Sequence, residues 1–317
     1  MIYKYQDRSY RRRRRRAGRG KIIFKIIVFF LLSYFVFIGV TKVVGSISNT
    51  SGKGIISPLG SLFTSEKDSK LASIVSSSIN NSEGVYAVGI KNLQTGESYF
   101  LNADRQFQSA SLYKLWVMGE TFKQIDEGKF SDTAVFKESA ESLNKKFDIS
   151  SESAEITEGD VEMSVSDALE RMITVSNNYA AHLLNSKIGL SNVKKFMTEY
   201  KQHGSDLNPP RTTVTDMVIF FEQLYNKQII DTNASNRMLD LLSRQEINDR
   251  IPDGLPEETR VAHKTGELGK FKHDAGIVFL KDSDYIIVLL SETDDPAEAV
   301  DVEAKISKGV YLYFSNN

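Results

Sequence analysis

Residues 107–118 read FQSASLYKLWVM, and the interpretation of the whole chain turns on them. Leu112, Leu115, Met118 and Phe122 recur at helical spacing, so a helix is expected over Ser111–Ile125. Its first turns are mostly apolar and hold the only tryptophan, Trp116, as suits a buried helix start. Ser111 and Lys114 stand three residues apart and face one side, so the amine can reach the hydroxyl. Apolar surroundings favour a neutral lysine, which is a usable base for a serine nucleophile. Two other S-x-x-K patterns, Ser142–Lys145 and Ser191–Lys194, lie in charged, lysine-rich stretches and are read as solvated. By itself the Ser111 pattern suits an N-cap serine with a surface lysine equally well.

Two segments further along change that balance. Ser176-Asn177-Asn178 sits between helical patterns at Ser164–Val175 and Tyr179–Ile188. Ser and Asn are good helix caps, and a short turn of this kind can also aim a hydroxyl and a carboxamide at a ligand. Lys264-Thr265-Gly266 follows Arg260–His263 on an expected strand. In isolation it reads as a strand-edge lysine before a turn glycine; beside a serine it supplies fixed positive charge to a cleft. Together the three motifs hold two hydroxyls, two amines and a carboxamide. That is the equipment for opening an amide through a covalent acyl-serine.

The surrounding pattern is α+β. Val85–Lys91 and Glu97–Leu101 flank the turn Gln94-Thr95-Gly96 as a hairpin, and strands return at Arg260–Lys264, Phe271–Leu280 and Tyr285–Leu290. Between them helices are expected at Ser164–Val175, Tyr179–Ile188, Ser191–Tyr200, Thr213–Leu224 and Asp231–Leu242, with Pro296–Phe314 closing the chain. Strands at both ends and helices between predict an antiparallel sheet with a helical insertion, and a cleft between the two parts.

Charge is uneven along the 317 residues. Residues 1–21 hold ten Lys/Arg, including Arg11–Arg16, against the single acid Asp7, although the whole chain is at −1. The folded body is therefore acidic, which argues against a nucleic-acid partner. Residues 22–44 form an apolar run whose centre, Ile26–Val40, is uncharged. Such a run is long enough to cross roughly 30 Å of hydrocarbon, and it is long for a cleaved signal. Residues 1–21 are read as a basic cytoplasmic tail, 22–44 as one transmembrane anchor, 45–68 as a flexible Ser/Gly-rich linker and 69–317 as the folded domain, placed outside the membrane. The absence of cysteine excludes disulfides and thiolate chemistry, and four scattered histidines without H-E-x-x-H give no zinc site. No metal or organic cofactor is implied.

The three motifs and their order resemble the class A β-lactamase and penicillin-binding protein superfamily of serine hydrolases. The likeness covers about residues 80–315 and takes in Thr212–Met217 and the strand residues His273–Val278. It implies an antiparallel five-stranded sheet flanked by helices, with an all-helical insertion. It also implies a cycle in which Lys114, directly or through water, takes the Ser111 proton, Ser111 attacks the carbonyl, and the backbone N–H groups of Ser111 and Glu267 hold the oxyanion. Ser176 beside Lys264 passes a proton to the leaving nitrogen. Lys264 and Thr265 receive a substrate carboxylate, Asn178 positions the acyl side chain, and Gly266 lets the substrate backbone approach. Asn177 replaces the aspartate usual in the second motif. Efficient β-lactamases of this class carry a loop glutamate in E-x-x-L-N; this chain has Leu207-Asn208, and the spacing puts Gly204 where that glutamate would be. Acylation with slow deacylation is the expectation, on β-lactams or on D-alanyl cell-wall peptides as a D,D-peptidase. The expected form is a membrane-anchored, monomeric ectodomain. The competing reading is a surface binding or sensor ectodomain that keeps the fold without hydrolysis. His273 and Asp274 are either a pH-sensitive pair near the cleft or a structural hydrogen bond.

Overall fold

The computed structural model of the protein describes residues 70–316. The tail, membrane span and linker expected over 1–68 lie outside these residues. Among the described residues no helix is long and apolar enough to cross a membrane.

The elements run in the order α1 (Lys70–Ile79), β1 (Val85–Asn92), β2 (Ser98–Leu101), β3 (Phe107–Gln108), a 3-10 turn (Ala110–Tyr113), α2 (Lys114–Asp126), β4 (Val135–Ser139), α3 (Ala140–Lys146) and β5 (Asp160–Ser164). They continue as α4 (Val165–Thr174), α5 (Asn178–Ile188), α6 (Leu190–Glu199), β6 (Asp206–Leu207), β7 (Pro210–Thr212), α7 (Val214–Tyr225) and α8 (Thr232–Ser243). Then come β8 (Val261–Leu268), β9 (Phe271–Val278), β10 (Tyr285–Glu292) and α9 (Pro296–Ser315). Five strands form one antiparallel sheet in the order β2-β1-β10-β9-β8, so the two chain ends supply the sheet and the middle supplies the helices.

Alternation along the strands divides the core in two. Ala87, Ala275, Ile277, Ile286 and Val288 face the helical block, where they meet Leu115, Trp116, Met217 and Phe221. Their neighbours Tyr86, Val88, Val278, Ile287 and Leu289 face the other way, against Leu71 and Val75 of α1 and Val302, Ile306 and Val310 of α9. Because side chains on both faces meet packed helices, the central strand β10 is buried along nearly its whole length, from Tyr285 to Ser291.

Helix starts follow the local chemistry. Ser164, Asn177, Thr213 and Asp231 each accept a hydrogen bond from the N–H three residues on, at Asp167, Ala180, Asp216 and Ala234. Two small sheets, β3-β7-β6 and β4-β5, lie outside the main one. The first matters to the site. Phe107 pairs with Thr212, and the Ser109 N–H donates to Pro210 O at 3.1 Å, which ties the turn before Ser111 to the 205–212 segment.

Candidate active site

The expected helix at Ser111 begins as a tight 3-10 turn and becomes α-helical only at Lys114. Ala110 precedes the serine in the left-handed region, at φ 44°, where a side chain is disfavoured. Ser176 has the same distinction at φ 56°. Ser176 contacts both buried amines and Ala110 packs beside Gly266, so surrounding structure dictates the backbone at both positions.

Lys114 and Lys264 are both fully buried. The Lys114 ammonium donates to Ser176 O at 2.5 Å, Ser176 Oγ at 3.1 Å and Asn178 Oδ1 at 2.9 Å. Lys264 Nζ reaches the same Ser176 Oγ at 3.0 Å and Thr265 O at 2.9 Å. Burial lowers the Lys114 pKa to about 7, against the pull of the Glu155 carboxylate, which raises it. Lys264 lies well below the ordinary lysine range, chiefly by burial and then by its cationic neighbours Lys114 and Arg250, with Asp274 opposing. No hydrogen bond joins the Lys114 amine to the Ser111 hydroxyl among the described residues. The amine is spent on the Ser176–Asn178 turn, and Ser111 Oγ has no hydrogen-bond partner among the described residues. Ser111 remains one turn from Lys114 and is half-buried.

β8 is the edge strand of the main sheet. The Phe279 N–H donates to Arg260 O at 3.0 Å, which fixes the parity of the β8–β9 ladder. Bonds to β9 therefore fall to Arg260, Ala262, Lys264 and Gly266, and the N–H groups of Thr265 and Glu267 point to the free edge. Glu267 N–H is thus available as an oxyanion donor opposite the start of the Ser111 helix. Gly266 packs closely against the turn before α2. A Cβ there would lie 3.1 Å from Ser109 O and 3.3 Å from Leu112 Cγ, so the missing side chain lets the turn that carries Ser111 seat against β8.

His273 and Asp274 do not form a pair. His273 donates from Nε2 to Gln108 O at 2.8 Å and accepts from the Ser291 N–H at 3.2 Å, holding β3 beside β9. Burial brings its pKa down to about 4, so it stays neutral. Asp274 instead bonds the His263 ring, at 2.8 Å to Nδ1, and accepts the Ile251 N–H at 3.0 Å.

The Gly204 position also reads differently in space. A Cβ at Gly204 would meet the Thr213 side chain at 3.0 Å and Asp216 Oδ2 at 3.4 Å, so it faces the start of α7. The segment turns Leu207 and Pro210 towards a cavity of about 520 Å³ shared with Tyr113, Phe147, His182 and Leu190. No carboxylate lines it among the described residues. The nearby acids are engaged elsewhere, Asp206 with Lys194 at 3.4 Å and Glu199 with Lys123.

Three residues near the site escaped the sequence reading. Arg250, fully buried, pairs with Glu267 and lies 3.8 Å from Glu303 Oε2 beneath the end of β8. His182 follows Asn178 by one turn of α5, and burial with the Lys114 charge lowers its pKa to about 4. Glu155 accepts from Asn178 Nδ2 at 2.8 Å. Arg250 and Glu155 come from irregular segments with no periodic or motif signal; His182 was findable as the i+4 neighbour of Asn178.

Comparison with known proteins agrees with this geometry. The profile of the Beta-lactamase enzyme family matches residues 69–314. Among curated proteins none matches the sequence. The fold is shared with PBP-A (TM-score 0.67, 20% identity, 78% of this chain and 96% of that one). It is shared also with β-lactamases from Sphaerobacter thermophilus (0.66, 19%, 78% and 97%) and Chitinophaga pinensis (0.66, 19%, 78% and 100%). With the family profile spanning the whole folded body, and the sheet, helical block and serine–lysine cluster in place, the chain belongs to the β-lactamase enzyme family.

Proposed function

We propose that the protein is a membrane-anchored, extracytoplasmic active-site-serine hydrolase that forms an acyl-serine with β-lactams or with D-alanyl cell-wall peptides. The observation that carries the reading is the sharing of Ser176 Oγ by two buried amines, at 3.1 and 3.0 Å, one turn from Ser111. A variant of PBP-A has been captured as an acyl-enzyme with penicillin G, which shows what chemistry this fold supports in a structural neighbour.

Neutral Lys114 accepts the Ser111 proton as Oγ bonds to the carbonyl carbon, and the N–H groups of Ser111 and Glu267 hold the oxyanion. When the C–N bond breaks, the leaving nitrogen takes the Ser176 proton, and Lys114 returns its proton to Ser176. Lys264 with Thr265 attracts the substrate carboxylate, and Asn178 receives the acyl amide. Water must then cleave the ester and restore the Ser111 hydroxyl. Gly204 stands at the position where the efficient enzymes of the class carry the glutamate that orients this water, so deacylation is slowed by about 10²–10⁴-fold relative to a site that has that base.

Full-length protein in membranes, treated with a fluorescent penicillin and followed by gel over hours, tests the reading. A label that forms quickly, persists, and is absent in Ser111→Ala supports it. Rapid turnover would instead indicate an efficient β-lactamase, and no label would favour the non-hydrolytic ectodomain. For the topology, protease added to intact cells should release the labelled domain; complete protection would reverse the proposed orientation.

A further inference from the structure

Asn178 is used on both sides. Its Oδ1 accepts from the Lys114 ammonium, which fixes the amide orientation, so Nδ2 must donate outward, and it donates to Glu155 Oε1 at 2.8 Å. Glu155 is exposed, but its place is built rather than incidental. The next residue, Ile156, is pinned through both backbone groups. Its N–H donates to the Tyr179 hydroxyl at 3.1 Å, and its carbonyl lies 2.7 Å from that hydroxyl and 2.8 Å from Asn144 Nδ2. Tyr179 is itself buried and adjoins Asn178 in α5. Buried anchoring thus sets the carboxylate at the lip of the acyl side of the cleft.

Among the described residues no cation forms an ion pair with Glu155. Lys114 is committed to the Ser176–Asn178 turn, and Lys146 to Glu138 at 3.2 Å and Ser186 at 2.5 Å. His182, which also feels this carboxylate, is held neutral. When an acyl amide takes the Asn178 donor, Glu155 is left beside the acyl substituent with its charge unpaired. Asn178 and His182 share one face of α5, and that face leads on to a cavity of about 520 Å³ that His182 lines.

We infer that Glu155 is a specificity-determining residue that selects substrates with a protonated amine on the acyl side, close to the amide carbonyl. This rests on the acyl-serine reading above and names its substrate class: an α-amino-acylated β-lactam, or a D-alanyl peptide whose preceding residue carries a free amino group. A neutral substituent gains nothing from Glu155, and an anionic one is repelled. Because the carboxylate is exposed, the preference is about fivefold per unit charge and shrinks with salt.

The test uses full-length protein at about pH 6.5, below the α-amino pKa. Acylation of Ser111 is timed with three penicillins that differ only at the benzylic carbon: unsubstituted, α-amino and α-carboxy. The wild type should rank them amino, unsubstituted, carboxy. Glu155→Gln should bring the amino-to-unsubstituted ratio close to one while keeping the melting temperature, and Glu155→Lys should reverse the order. Acylation that proceeds with the same ranking in all three proteins overturns this inference alone. No adduct on Ser111 with any compound overturns the acyl-serine reading and the inference with it.

Discussion

Lys114 and Lys264 meet at one oxygen, with Ser176 Oγ 3.1 Å from the first amine and 3.0 Å from the second. Two ammonium ions cannot comfortably share a dry site, and burial lowers both pKa values. The arrangement therefore favours losing a proton from the pair, which is what a base for Ser111 requires. It also links the two amines through a hydroxyl that can pass a proton between them.

The pH dependence follows from Lys114. A base with pKa about 7 is protonated and inactive below that value, so acylation should rise with pH through about 7 and level off above it. Glu155 raises this pKa, so Glu155→Gln should move the inflection to lower pH. Stopped-flow acylation rates over about two pH units either side of the inflection check both statements.

Ser176→Ala removes the oxygen that the two lysines share and, with it, the proton donor to the leaving nitrogen. Acylation should slow by about 10²-fold with substrate affinity little altered, since the loss falls on proton transfer. Separate determination of the acylation rate and the binding constant distinguishes this from a simple binding defect.

Gly266→Ala would press a methyl group to 3.1 Å from Ser109 O. The turn bearing Ser111 must move by a few tenths of an ångström, and reacting groups tolerate little displacement. An approximately tenfold loss of acylation is expected with a destabilisation of about 1 kcal/mol. Calorimetry and labelling kinetics on one preparation provide the check.

Arg250 and Glu303 separate by their responses. Arg250→Leu removes a fully buried guanidinium with its pairing to Glu267 and leaves the polar Glu303 facing an apolar side chain, which should cost about 1–3 kcal/mol of stability. Burial already raises the Glu303 pKa well above the carboxylate range, so the neutral Glu303→Gln should be tolerated within about 1 kcal/mol. Urea unfolding of the two variants measures the difference.

Much of this was legible because it is written in short-range patterns. Leu112, Leu115 and Met118 announce α2, and the apolar runs of β9 and β10 announce inner strands. The Ser164 and Thr213 caps fix helix starts to within a residue. The β4–β5 hairpin was not visible: its residues are largely exposed, so no alternation of apolar side chains marks it. The convergence of Lys114, Ser176, Asn178 and Lys264 followed from the order of the motifs. The contribution of Glu155 did not, because Tyr179, remote in sequence, places it through a contact to the neighbouring backbone. Nor could spacing show that Gly204 faces Thr213 while Leu207 lines the cavity.

The decisive measurement is the intact mass of the chain after exposure to a penicillin, followed by peptide mapping. A stoichiometric gain equal to the whole β-lactam is expected, located on Ser111 and lost in Ser111→Ala. A chain that gains no mass, or gains it at any other residue, would refute acyl-serine chemistry at this site.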